Sequence, residues 1–236
     1  MVDDPFTITV KDNGATRSDG GGKAFCCFLP VLSPHPGESR TIMVLPAQPA
    51  GDALEAALRS ALAQGLAWFW LKGLKTAAQV QAADVCMRVV EAQAGLPQDH
   101  LKLLISPCDT ACGSLDLMRI CRASPRLVAV IWDAAASRAA LASPAGDSRP
   151  LQSGPIPATG LARDMALIAA AAAGLPIYEA PDEPSLPDAS EAETLRFAQA
   201  CTAAREAGLH GKLAIHPWQA RLTTEIFGVE KAEVDG

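Results

Sequence analysis

Residues 208–222, Gly208-Leu209-His210-Gly211-Lys212-Leu213-Ala214-Ile215-His216-Pro217-Trp218-Gln219-Ala220-Arg221-Leu222, carry the pattern that decides the fold. Gly208 stops a helix, Leu213 to Ile215 form a short apolar strand, and Pro217 opens the next helix where its missing N–H costs nothing. The stretch is a junction from a β-strand into an α-helix.

The chain before it is built the same way. Strands are expected at Thr41 to Leu45, Ala67 to Leu71, Leu101 to Ile105, Leu127 to Trp132 and Ile177-Tyr178. Helices are expected between them: Asp52 to Gln64, capped by Asp52; Gln79 to Ala94, stopped by Gly95-Leu96-Pro97; Leu115 to Arg122; Leu161 to Ala173; Glu191 to Ala207; and Trp218 to Phe227. Ser143 to Thr159 is a Pro/Gly/Ser-rich loop.

Residues 1–40 differ. Phe6 to Val10 and Phe25 to Leu29 are apolar runs separated by Gly20-Gly21-Gly22, which leaves no room for a helix and predicts a hairpin or loose pair of strands. Counting these two runs gives eight candidate strands, and regular strand–helix alternation makes a parallel sheet with its helices outside. The expected fold is a (β/α)8 TIM-barrel-like single domain over residues 1–236 with an irregular N-terminal portion, a little shorter than the ~250 residues usual for such barrels. An open doubly wound sheet is the alternative, and no glycine-rich phosphate loop follows any strand to favour it.

The chain has 236 residues, 49% of them hydrophobic and 19% charged, with a net charge of −6. That acidity, with scattered lysines and arginines, argues against a nucleic-acid or anionic-membrane surface. No apolar run approaches the ~18 residues of a membrane span, and the acidic start Met1-Val2-Asp3-Asp4-Pro5 is unlike a secretory signal, so a cytoplasmic protein is expected. The seven cysteines lack the spacing of a disulfide scaffold, and Cys108, Cys112 and Cys121 match no usual zinc or iron–sulfur spacing, which makes them reduced core residues.

Several segments together resemble the citrate lyase β-subunit and malyl-CoA lyase family of metal-dependent 2-oxo-acid aldolases. Ala67-Trp68-Phe69-Trp70-Leu71-Lys72 is similar to the family's strand ending in leucine-proline-lysine, and Asp109-Thr110-Ala111-Cys112-Gly113 to its glutamate-threonine-alanine-x-glycine. Ala123-Ser124-Pro125-Arg126-Leu127 resembles the serine-proline-arginine before its next strand. Arg163 with Ala169 to Pro176 is similar to its alanine-rich helix, and Gly211 to Pro217 to its closing strand. The coverage is about residues 41–230.

The resemblance implies carbon–carbon bond chemistry on an acyl-CoA or 2-oxo acid, with magnesium stabilising an enolate. It also implies a homo-oligomer, commonly a trimer. In the family two carboxylates hold the metal. The first position is Asp109 here; the second falls on Ala135 and Ala136, because the motif reads Asp133-Ala134-Ala135-Ala136, which leaves Asp133 as the substitute ligand. Lys72 and Arg163 would engage substrate charge, and Thr110 and the His216-Pro217 loop would border the ligand. The altered carboxylates raise a second possibility, a noncatalytic ligand-binding or assembly paralogue with a degenerate metal site.

Structural roles compete with these assignments. Asp109 could cap the helix near Ala111, Arg163 could pair with Asp164, and a strand-end His216 could order its loop. Trp68 and Trp70 share one strand face; turned inward they would crowd the interior, so packing against a surrounding helix or a partner subunit is expected.

Overall fold

The computed structural model describes residues 24–28, 39–47, 51–141, 157–181 and 190–228. Seven strands form one sheet in sequence order: β1 (Ala24–Phe28), β2 (Ser39–Pro46), β3 (Trp68–Lys72), β4 (Lys102–Ile105), β5 (Leu127–Trp132), β6 (Ile177–Glu179) and β7 (Gly211–Lys212). From β2 to β7 every pairing is parallel, giving six parallel strands, while β1 lies antiparallel to β2.

The helices are α1 (Gly51–Ala63), α2 (Ala77–Ala94), α3 (Ala111–Leu115), α4 (Leu117–Ile120), α5 (Ala134–Leu141), α6 (Pro157–Ala173), α7 (Glu191–Glu206) and α8 (Pro217–Phe227). A doubly wound sheet reverses its strand order midway. Here the order never reverses, and right-handed crossovers that always advance the same way put their helices on one face, as in a barrel wall. This is the parallel α/β, TIM-barrel-like fold. The eighth expected strand, Phe6 to Val10, lies outside the described residues.

Alternation along the strands divides the core in two. Phe69, Leu71, Leu103, Ile105, Val130, Trp132 and Ile177 pack with helix residues such as Leu58, Val80, Met87 and Ala169. Ile42, Trp70, Leu104, Ala129, Ile131, Tyr178 and Leu213 form a separate cluster on the opposite, interior face, with Trp68 packed against it. The tryptophans therefore face inward, contrary to the packing expected from sequence. Phe69 and Leu71 already fill the helix side of β3, and alternation sends Trp68, Trp70 and Lys72 the other way.

Other boundaries differ from expectation for local reasons. The expected helix Leu115 to Arg122 divides at Asp116, whose carboxylate accepts the Ala77 N–H at 3.0 Å. The closing strand is confined to Gly211–Lys212, the residues that pair with Tyr178 and Glu179; beyond them Leu213 N–H donates to the Glu179 carbonyl at 2.8 Å and Ala214 forms an isolated bridge. α5 has no counterpart among the expected helices. Asp133 starts it by accepting the Ala136 N–H at 2.8 Å.

At the amino end of β5, Arg126 is fully buried. Its Nε donates to Asp84 Oδ1 at 2.5 Å, and Nη1 and Nη2 donate to the two Glu91 oxygens at 2.5 and 2.7 Å. Glu91 also accepts the Leu101 N–H at 2.7 Å. One guanidinium thus joins α2 to the starts of β4 and β5, which assigns the Ser-Pro-Arg segment to the framework rather than the site.

Candidate functional site

Loops after strands carry the chemistry of this fold, and three charged residues meet at that end of the sheet. Lys72 closes β3, Asp109 ends a short 3-10 turn (Pro107–Asp109) after β4, and Asp133 follows β5. Lys72 Nζ lies 2.6 Å from Asp133 Oδ2 and 4.6 Å from the centroid of the Trp70 ring. Trp70 is itself fixed, because its Nε1–H donates to Ser106 Oγ at 2.5 Å. The ammonium is held by an ion pair and by an aromatic face together.

Asp109 is not the cap that a plain sequence reading allows. Thr110 caps α3, its hydroxyl accepting the Gly113 N–H at 2.9 Å while donating to the Leu74 carbonyl. Asp109 instead accepts the Gly73 N–H through Oδ2 at 3.3 Å and has a buried Oδ1 with no hydrogen-bond partner. Burial pushes its carboxyl up to about 7; the Lys72 charge opposes this and the Asp133 charge adds to it. The group is therefore poised to exchange a proton near neutrality.

Gly113 makes this turn possible. A Cβ there would sit 2.1 Å from the Pro107 carbonyl oxygen and 2.4 Å from that of Leu74, both backbone atoms of the loops that carry Asp109 and Lys72. Gly113→Ala is expected to destabilise the protein by about 1–3 kcal/mol or more through this overpacking, read as a lowered denaturation midpoint. An unchanged midpoint would show that the two loops are not locked together.

The remaining candidates have structural partners. Arg163, on α6, turns to Asp164 at 3.3 Å. His216 is the cap residue of α8, where Gln219 Oε1 accepts its N–H at 3.2 Å and that of Ile215 at 2.9 Å; Pro217 is the first residue of that helix. Lys212, from the closing Gly-Lys pair, is buried on the helix side of the sheet, with Nζ 2.9 Å from Glu179 Oε2. The hydroxyl of Thr110 is taken up by backbone on both sides.

A magnesium ion of the kind the resemblance implies does not fit these residues. Both Asp133 oxygens are committed, one to Lys72 and one to the Ala136 N–H, and Ala135 and Ala136 offer methyl groups only. Among the described residues no group of three His, Cys, Asp or Glu side chains could hold a metal. Two carboxylates can suffice for magnesium with water and substrate. Here only Asp109 keeps an oxygen without a protein partner, and the second ligand position of the resemblance is alanine, so the pair is not in place.

Outside this cluster, a cavity of about 350 Å³ lies between α1 and α2, lined by Leu54, Leu71, Gln79 and Cys86 among others. Cys108 and Cys121 are buried thiols held up to about 11 and about 12 by desolvation, as expected of core residues, whereas Cys112, read with them as a core residue, is exposed on α3. No helix among the described residues is long and apolar enough to cross a membrane.

No protein-family model and no curated protein matches the chain in sequence. Solved structures match its fold. RipC from Yersinia pestis superposes with a TM-score of 0.56 at 18% identity over 82% of this chain and 91% of its own. A citrate lyase from Burkholderia xenovorans LB400 gives 0.63 at 16% identity over 80% of this chain but only 57% of its own. The citrate lyase β subunit of Mycobacterium tuberculosis, in complex with oxaloacetate and magnesium, gives 0.53 at 19% identity, covering 80% of this chain and 73% of its own. The fold that the sequence motifs resemble is thus the fold the chain has.

Proposed function

We propose that this chain is a divergent citrate lyase β-subunit-like protein that binds a small organic anion at the carboxyl ends of its strands, without the magnesium-dependent lyase chemistry of that lineage. The ligand class is a 2-oxo acid or an acyl-CoA thioester. The carrying observation is the Lys72–Asp133 ion pair, which engages the one carboxylate available to replace Ala135 and Ala136 as a metal ligand. Lys72 would supply positive charge for the ligand, Asp109 offers a carboxyl whose buried Oδ1 is unpartnered, and the resemblance assigns the His216-Pro217 turn to the ligand's border. Self-association belongs to the same reading, supported by an exposed apolar stripe of Leu161, Met165 and Ile168 on α6.

The competing reading is an active carbon–carbon lyase with Asp109 and Asp133 as magnesium ligands. It places the metal on Asp133 oxygens that already bond Lys72 and the Ala136 N–H. Calorimetric titration with oxaloacetate in EDTA, paired with an assay of a 3-hydroxyacyl-CoA thioester in magnesium, separates the two. Saturable binding without cleavage is expected. Efficient magnesium-dependent cleavage would establish the lyase and sink this proposal.

A further inference from the structure

We infer that Tyr178 is a specificity-determining residue of this site: its phenol donates a hydrogen bond to a neutral carbonyl oxygen of the bound anion, so that the site prefers carboxylates with a carbonyl beside the charged group. The inference rests on the ligand-binding reading above and deepens it, because it names what the interior of the sheet reads on the ligand.

Tyr178 lies on β6, is 0% exposed, and has a hydroxyl without a hydrogen-bond partner. A buried hydroxyl left unsatisfied costs stability, and phenylalanine would fill the same space without that cost. The chain thus keeps an oxygen here that its own fold does not use.

Strand register places that oxygen beside the charged cluster. Leu71, Ile105, Val130 and Ile177 pair in one rung across β3, β4, β5 and β6, and all four pack toward the helices. The next residue on each strand, Lys72, Ser106, Ile131 and Tyr178, turns to the interior. Ser106 accepts the Trp70 N–H, Lys72 lies over the Trp70 ring, and Ile131 and Tyr178 belong to the interior cluster with Trp70. The Lys72 side chain also reaches past β4 to Asp133 at the end of β5, and β6 is the strand paired to β5, about 4.8 Å further on. Ammonium and phenol come from one inner layer.

The surroundings decide what the phenol can bind. The cluster around it, Trp70, Leu104, Ile131 and Leu213 among its members, carries no charge. A second carboxylate there would be desolvated without a counter-ion, whereas a neutral carbonyl loses little. Desolvation pushes the phenol above its ordinary range, so it stays protonated and keeps its hydrogen to donate. The fold has already taken the hydroxyl out of solvent, so a ligand oxygen gains the bond without competing hydration. The Lys72 side chain, 32% exposed, holds the charged end of the ligand nearer solvent. A carboxylate and a carbonyl on adjacent carbons meet both demands.

The test compares oxaloacetate with succinate, which carries the same two carboxylates and lacks the carbonyl. Calorimetric titration in EDTA is run on the full chain and on Tyr178→Phe. The wild type is expected to bind oxaloacetate about tenfold more tightly than succinate, and the variant to lose about tenfold for oxaloacetate and nothing for succinate. Without ligand, the variant should unfold in urea at the wild-type midpoint or above it. Tyr178 is the single tyrosine of the chain, so biosynthetic 3-fluorotyrosine gives one fluorine NMR resonance, which should shift with oxaloacetate and not with succinate even if the variant fails to fold. Equal affinity of the wild type for the two acids, a folded variant that still prefers oxaloacetate, a ligand-free variant less stable than the wild type, or a resonance unmoved by oxaloacetate would each overturn the inference. A wild type that binds neither acid sinks the function proposed above and this inference with it, whereas an unchanged preference in the variant sinks this inference alone.

Discussion

Arg126→Met is expected to lower the unfolding free energy by about 3–5 kcal/mol, because the substitution removes the buried guanidinium that pairs two buried carboxylates. Glu91 is 2% exposed and Asp84 6%, and each bonds directly to Arg126. Burial alone would raise the Glu91 carboxyl, yet its bonds to Arg126 and to the Leu101 N–H hold it below the ordinary range. Asp84 keeps Arg88 at 2.8 Å after the substitution, whereas Glu91 keeps only the Leu101 N–H among these partners.

Urea unfolding near neutral pH measures the loss. Arg126→Lys should recover little, since one ammonium cannot span both carboxylates with the geometry of a planar fork. The linkage has a definite sign. A depressed carboxyl stabilises the fold above its unfolded pKa and loses that contribution as pH falls through its folded value, so the gap between wild type and Arg126→Met should narrow in acid. A substitution costing less than about 1 kcal/mol would mean that water reaches the cluster and that its burial is apparent only.

How much of this was legible in the sequence depends on the kind of signal. The alternation of short apolar runs with helix-period segments located β2 to β6 and most helices to within a few residues, because burial on one face leaves a periodic trace. α5 left none: Asp133 to Leu141 is alanine-rich, and its start depends on the Asp133 side chain turning back to the Ala136 N–H. The inward turn of Trp70 was legible as parity but not as direction. Which face of β3 is the interior depends on Phe69 and Leu71 meeting α1 and α2, a tertiary fact.

The site shows the same division. Asp109 and Lys72 could be placed at strand ends from spacing, and alanines could be read at the two positions, 135 and 136, where the resemblance leads one to expect acidic residues. That Lys72 would reach Asp133 could not, because the two are far apart in sequence and meet only when β3, β4 and β5 lie side by side. The role of Arg126 was equally hidden: a Ser-Pro-Arg segment resembling a family motif carries no mark of whether its arginine faces ligand or framework. The fixing signal was available only in part, as Asp84 and Glu91 seven residues apart on one helix face.

Asp109→Asn is expected to stabilise the protein at alkaline pH and to lose that advantage in mild acid. In the unfolded chain this carboxyl titrates near 3.8, while in the fold burial holds it up to about 7. Between those values the native protein binds a proton that the unfolded chain does not, so stability falls as pH rises across the interval, and above it the fold carries the full cost of a desolvated carboxylate. Asparagine removes the charge and keeps an oxygen for the Gly73 N–H. Each tenfold change in proton affinity between the folded and unfolded chain is worth about 1.4 kcal/mol, so with allowance for partial exposure the variant should gain about 2–4 kcal/mol at pH ~8.5 and almost nothing near pH ~4. Paired urea titrations at the two pH values read the difference directly. A gain that does not change with pH would show that Asp109 is ionised throughout, its charge held by Lys72 more strongly than burial opposes it. A loss of stability at the alkaline value would go further and identify Asp109 as a second structural anchor for the ammonium rather than a carboxyl kept for a ligand.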